Sequence, residues 1–357
     1  MENKGREYSR TSCIHKQVKG NDNCPIIGAI AWSMIIHPAI HQKKMKKRRI
    51  GIFSLLGIPL LGVISCSSDH DSKEEPKQYK ATITRVLEYA PAFGQFVNEL
   101  PRYEVGDTAE SMRVKAEKAL INNEVISLGG FGGYVVFGFD HTIENITGKR
   151  DFKVLGNAFV HNAEPGVILV AYDKNKNGVP DEEEWYEIAG SEHGNSKTIK
   201  EYSITYYKPS KEHDETVEAL DHYIYWTDNQ GNEGWKTKNK FHQQSYYPQW
   251  IEAESITFQG TLLPNNAVQV GQTATSWQLQ PFAWGYADNY PNRQEGAAID
   301  IDWAVDQAGN KVYLPGIDFV KVYTGLNQEA GWLGETSTEV AGAIDLHLEG
   351  TSIQTLK

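Results

Sequence analysis

The sequence predicts a mainly β fold: one large, jelly-roll-like β-sandwich with a single capping α-helix. Three observations predict it. Segments rich in β-branched and aromatic residues alternate apolar and polar positions. Turn-forming residues punctuate them. Only one stretch of the body repeats its apolar residues at helical spacing.

From the N-terminal side of the body, "ATITRVLEY" is the first expected strand. The expected helix follows in "DTAESMRVKAEKALINN", with Asp107 and Glu110 spaced as a capping box. Met112, Ala116, Ala119 and Leu120 then recur on one face, and Asn122-Asn123 closes the run. "GGFGGYVVFGFD" comes next. Its glycines suit bulges or a close backbone approach at a strand start, and no helix or Gly-Lys-Ser/Thr follows to make a phosphate loop. Along this strand Val135, Phe137 and Phe139 share one face, with Tyr134, Val136 and Asp140 on the other. Further strands are expected in "GVILVAY", "EYSITYY", "SITFQG", "AIDIDWAV" and "IDFVKVYTG"; in "AIDIDWAV", Ile299, Ile301 and Trp303 alternate with Asp300 and Asp302.

Directly after "GVILVAY" stands "DKNKNGVPDEEEW". Counted from Asp173, oxygen-bearing residues fall at 1 (Asp173), 3 (Asn175), 5 (Asn177), 9 (Asp181) and 12 (Glu184). Gly178 stands at 6, and Val179 at 7 offers its carbonyl. This is the spacing of a calcium loop: alternate oxygens turn inward, glycine permits the sharp turn, and a terminal carboxylate closes the shell. The flanks are those of a strand, and Pro180 removes an amide that paired EF-hands use, so a structural Ca2+ site on another fold is expected. A polar turn built on Asx hydrogen bonds is the simpler alternative.

Charge is unevenly distributed. Residues 1–65 hold 11 Lys or Arg against 3 Asp or Glu, whereas the remainder holds 24 against 43, a composition that excludes nucleic acid as a partner. Within the basic part, "MKKRRIGIFSLLGIPLLGVISC" has the charged start, short apolar run and small-residue end of a signal peptide at residues 45–65. Its end resembles a lipobox, which makes Cys66 the expected lipidated first residue. Cys13 and Cys24 precede it, so no disulfide framework is available to the mature chain. Residues 1–44 are expected to lie outside the mature protein. Residues 66–80 read as a flexible acidic tether and residues 81–350 as the ligand-binding sandwich.

Between Trp226 and Tyr290 aromatic residues stand beside Asn, Gln, Asp and Pro. Trp226, Trp235, Tyr246, Tyr247, Trp250, Trp277, Trp284 and Tyr286 are the candidate ligand-binding residues, because rings stack on flat ligands while amides orient them. A core that needs large side chains is the competing reading. The histidines show neither His-Glu-x-x-His nor zinc spacing and are expected to be hydrogen-bonded or on the surface. No Gly-x-Ser-x-Gly elbow occurs, and no carboxylate pair is singled out for glycoside hydrolysis. A non-catalytic protein is expected, with a glycoside hydrolase or a structural, adhesive surface protein as alternatives.

"RVLEYAPAFGQFVNELP", "SLGGFGGYVVFGFDHTIEN", "VAYDKNKNGVPDEEEWYEIAGSE" and "LPGIDFVKVYTGLNQEAGWLGETSTE" resemble segments of Bacteroidetes cell-surface lipoproteins. The resemblance implies an outer-membrane lipoprotein, lipid-anchored and facing the cell exterior. It would capture a nutrient beside a TonB-dependent transporter: a corrinoid such as vitamin B12 first, a carbohydrate second.

Overall fold

The computed structural model describes residues 78–212, 219–271, 276–348 and 351. The expected signal peptide, Cys66 and most of the tether lie outside these residues. The described chain is mainly β, with several antiparallel sheets, one α-helix and no closed barrel.

At its centre is a six-stranded sheet in the order Arg85–Ala90, Tyr134–Glu144, Gly316–Thr324, Gly166–Ala171, Trp185–Ile188, Ala304–Val305. A four-stranded sheet runs Ser255–Leu262, Ile199–Tyr207, Leu220–Asp228, Glu233–Lys238. A three-stranded sheet (Ala298–Ile299, Phe152–Leu155, Gly342–Asp345) and two small ribbons complete the set.

Both faces of the central sheet are covered. Val135, Phe137, Phe139, Ile168, Val170, Val320 and Val322 enter one apolar cluster, which the helix and the three-stranded sheet complete with Met112, Leu120, Phe152 and Val154. On the opposite face Val167 and Tyr323 join Tyr202, Ile204, Tyr206 and Ile224 of the four-stranded sheet. This explains why "GVILVA" is apolar throughout: a strand buried on both sides has no solvent face to mark with polar residues. The alternation expected of Val135, Phe137 and Phe139 is observed.

The helix spans Ala109–Ile121 and buries Met112, Ala116, Ala119 and Leu120, as their spacing requires. Its cap differs from expectation by one residue. Thr108 is the N-cap and exchanges hydrogen bonds with Ser111, while Asp107 accepts from Ser111 Oγ and the Glu104 amide and pairs with Lys115. The helix also closes a sheet edge. The Val86 N–H donates to Glu117 Oε2 at 2.9 Å, and Arg113 Nη1 donates to the Val86 carbonyl, so the outer edge of Arg85–Ala90 is partly satisfied by side chains.

A second correction concerns "AIDIDWAV". It is not one strand but two two-residue strands, Ala298–Ile299 and Ala304–Val305, flanking a 3-10 turn at Ile301–Trp303. Asp300 causes the break: its Oδ1 accepts the Asp302 amide and caps the turn. Ile299 and Ile301 still reach the core.

The glycines before Tyr134 do bring chain segments together. A Cβ on Gly133 would lie 1.9 Å from the Leu128 carbonyl oxygen and 2.3 Å from the Ala92 nitrogen. Gly132, at φ +85°, leaves space for the Phe258 side chain from the facing sheet.

Candidate functional site

Between the central sheet and the edge strand Ser255–Leu262 lies a cleft of about 510 Å3. That volume falls within the range of small-molecule sites. Tyr134, Leu169, Glu187, Lys321 and Tyr323 come to it from four neighbouring strands of the central sheet. Phe258, Gly260 and Thr261 come from the edge strand. Trp185, Glu182, His193, Lys200 and the 305–309 turn complete it.

Register explains the grouping. Glu88 pairs with Val136, Val136 with Lys321, Lys321 with Leu169, and Leu169 with Glu187. Residues directly opposite in antiparallel strands point to the same side, so this row crosses five strands on one face.

The polar groups of the cleft are mostly committed. Glu187 Oε1 is 2.9 Å from both His193 Nδ1 and Lys200 Nζ, and its Oε2 accepts from Thr261 Oγ1 at 2.6 Å. Burial pushes the Glu187 carboxyl up, but these partners outweigh burial and hold it below its ordinary value. The Tyr323 hydroxyl, pushed up by burial, accepts the Thr261 amide at 2.7 Å. At the rim, Asp306 is held low by Asn310 and by neighbouring backbone amides. Glu187 and Asp306 are thus stabilised as anions, the wrong state for a proton donor in glycoside hydrolysis.

The loop expected to hold calcium, Asp173–Glu184, connects two central strands, Gly166–Ala171 and Trp185–Ile188. Asp173 accepts the Asn177 and Gly178 amides through its two carboxylate oxygens, at 3.0 and 2.8 Å. Asn175 and Asn177 donate side-chain amides to Asp181 Oδ2 at 2.6 and 3.1 Å. Glu184, buried, accepts the amides of Lys174 and Asp181. Gly178 takes φ +81°, and the Val179 amide donates to Asn177 Oδ1. The residues named for calcium are therefore gathered in one loop, where the side chains of Asp173, Asn175, Asn177, Asp181 and Glu184 each accept at least one N–H donor. Asp173, Asp181 and Glu184 are not drawn into a mutual carboxylate cluster. Among the described residues that arrangement occurs once, at Glu164, Asp288 and Glu339, where one oxygen from each lies within 4.8 Å of the others. Those three residues could hold a cation, and nothing in the sequence pattern marked them.

The aromatic set is not gathered at one site, and three of its eight members are buried. Tyr246 (0% exposed), Tyr247 and Tyr286 are core residues whose hydroxyls reach backbone groups, at His242, Ala253 and Glu192 respectively. Trp226 packs on the cluster between the two large sheets, and Trp250 lies near Tyr89 and Tyr103. Trp277 packs against Gly331, where a Cβ would lie 2.2 Å from its indole nitrogen. Only Trp235 and Trp284 are well exposed, at 45% and 37%. Trp284 borders a smaller cleft of about 260 Å3 with Trp303 and Arg150. None of the eight lines the larger cleft; its rings are Tyr134, Trp185, Phe258 and Tyr323.

The histidines behave as expected of hydrogen-bonded residues: His141 bridges Asp140 and Asp345, His193 meets Glu187, and His347 meets Asp151. His213 lies outside the described residues. No protein-family model and no curated protein matches the chain.

Proposed function

We propose that this protein is a lipid-anchored surface lipoprotein that captures a nutrient without catalysis and passes it to a TonB-dependent outer-membrane transporter. The observation that carries the binding role is the cleft between the sheets. It combines four aromatic side chains with a charged network whose shifted carboxylates are held ionised. Rings offer flat apolar faces, and fixed charges and amides set orientation, which is the chemistry of a binding site for a polar ring compound.

Two ligand classes follow. The sequence resemblance favours a corrinoid, of which this cleft would enclose one edge. The volume favours a carbohydrate of one or two rings. Calorimetric titration with cyanocobalamin and a panel of glycans distinguishes them: saturable heat with one class identifies the ligand, and none with either removes the capture role in favour of a structural or adhesive one.

Calcium is the proposed structural ion, held by Asp173, Asn175, Asn177, Val179, Asp181 and Glu184 in the hairpin that borders the cleft. Glu182, within the loop, and Trp185, just after it, both line the cleft. An ordered loop would fix that wall.

Lipidation at Cys66 supplies the anchor. Cys66→Ser is expected to move the protein from the membrane to the soluble fraction after cell lysis. Retention in the membrane would contradict anchoring through this residue.

A further inference from the structure

Lys321 stands in the cleft with its charge answered only at a distance, by the Glu88 carboxylate. Its Nζ lies 3.9 Å from the centroid of the Tyr134 ring, and among the described residues it forms neither a hydrogen bond nor an ion pair. The carboxylates along its row are two strands away on each side, roughly 10 Å by sheet spacing. Both are engaged elsewhere: Glu88 accepts the Tyr134 hydroxyl at 2.8 Å, and Glu187 is shared by His193, Lys200 and Thr261. The remaining cleft acids stand at the periphery. Glu182 and Glu201 are exposed, and Asp306 is tied to Asn310.

An ammonium placed among apolar strand neighbours loses hydration, and a ring face restores only part of it. Burial accordingly pulls the Lys321 pKa below its ordinary value, against the opposing effect of the Glu88 carboxylate. Its neighbours across the strands, Val136 and Leu169, offer no acceptor. Water fills that place in the free protein, and a ligand oxygen can replace it.

We infer that Lys321 is the residue by which the cleft selects a ligand carrying an anionic oxygen group, a phosphodiester or a carboxylate, seated beside the Tyr134 ring. The inference rests on the cleft being the capture site. Lys200 is less suited to this role, because its ammonium already pairs with Glu187 at 2.9 Å. A charge-assisted contact made at a desolvated ammonium is stronger than a neutral hydrogen bond and more sensitive to loss of either partner.

The test compares two matched pairs on the full chain by titration calorimetry. Cyanocobalamin, which carries a nucleotide-loop phosphodiester, is set against dicyanocobinamide, which lacks it. Glucuronate is set against glucose. In the pair that binds, the anionic member is expected to bind about tenfold tighter or more. Lys321→Met should abolish that preference while leaving affinity for the neutral member, and Lys321→Arg should retain it. Melting curves of both variants report folding. Equal binding of the two members, or a preference that survives in Lys321→Met, overturns the role of Lys321 and leaves capture in the cleft standing. No binding of either pair overturns both.

Discussion

Adding calcium to the wild-type protein is expected to raise its melting temperature by about 5–10 °C at saturating ion, and Asp173→Ala combined with Glu184→Ala is expected to erase that increment. The magnitude follows from mass action: an ion at a hundredfold excess over its dissociation constant stabilises by about 2.7 kcal/mol, and a domain of this size gains about 2–4 °C per kcal/mol. The increment is the proper readout, rather than the melting temperature of the variant alone. Glu184 is buried and receives two backbone amides, from Lys174 and Asp181, so its loss leaves donors unsatisfied even in chelator. That structural cost is about 1–3 kcal/mol. Binding calcium would require Asn175 and Asn177 to turn their oxygens inward, exchanging the side-chain N–H bonds they now give Asp181. An identical melting temperature in calcium and in chelator for the wild type would remove the ion from this loop.

The second large effect is a loss of stability as pH rises from 5 to 9. Burial, and for Glu164 also the charge of Asp288, pushes the carboxyls of Glu164 and Glu335 up to about 8. Asp288 and Glu339 are pushed well above their usual range by burial and by neighbouring acids. A carboxyl whose folded pKa exceeds its unfolded value ionises first in the unfolded chain. Each such group is therefore neutral in its effect below about pH 4, and destabilises progressively as pH rises toward its folded pKa. For Glu164 and Glu335 this amounts to a few kcal/mol each, concentrated between about pH 4.5 and 8. Glu187 and Asp306, whose pKa values are lowered, act in the opposite sense and lose their contribution only in more acidic solution. The melting temperature should therefore peak near pH 5 and fall by about ten degrees or more toward pH 9. Glu335→Gln should flatten part of that fall, because a neutral amide never ionises. A cation at Glu164, Asp288 and Glu339 would also flatten it, and chelator would then restore the slope.

Much of the framework was legible in the sequence for identifiable reasons. Strands such as Tyr134–Glu144 and Gly316–Thr324 declare themselves through β-branched and aromatic content, and the helix through the spacing of Met112, Ala116, Ala119 and Leu120. The loop at Asp173–Glu184 was legible as a unit because its oxygen-bearing residues fall within one stretch of the sequence. The cleft was not, because its parts come from separated segments that only strand register brings together. Asp300 broke an alternating pattern by capping a turn, a local competition that periodicity does not register. The ring-rich segment misled for a different reason. Tyrosines beside polar residues look exposed, yet Tyr246 and Tyr247 bury their rings while their hydroxyls reach backbone carbonyls. One signal of the cleft does stand in the sequence: a lysine in the apolar run "IDFVKVYTG" must either snorkel or meet a partner.

Capture of a ligand in the cleft between the two large sheets is tested most directly by filling that cleft. Leu169 sits partly buried on its central-sheet wall, so Leu169→Trp adds volume where the ligand would lie. With a ligand identified by titration, the account predicts one-to-one binding in the wild type and loss of measurable binding in Leu169→Trp, with the melting transition still cooperative. Undiminished binding in that variant, or binding lost instead on replacing the exposed Trp235 by Ala, would contradict it.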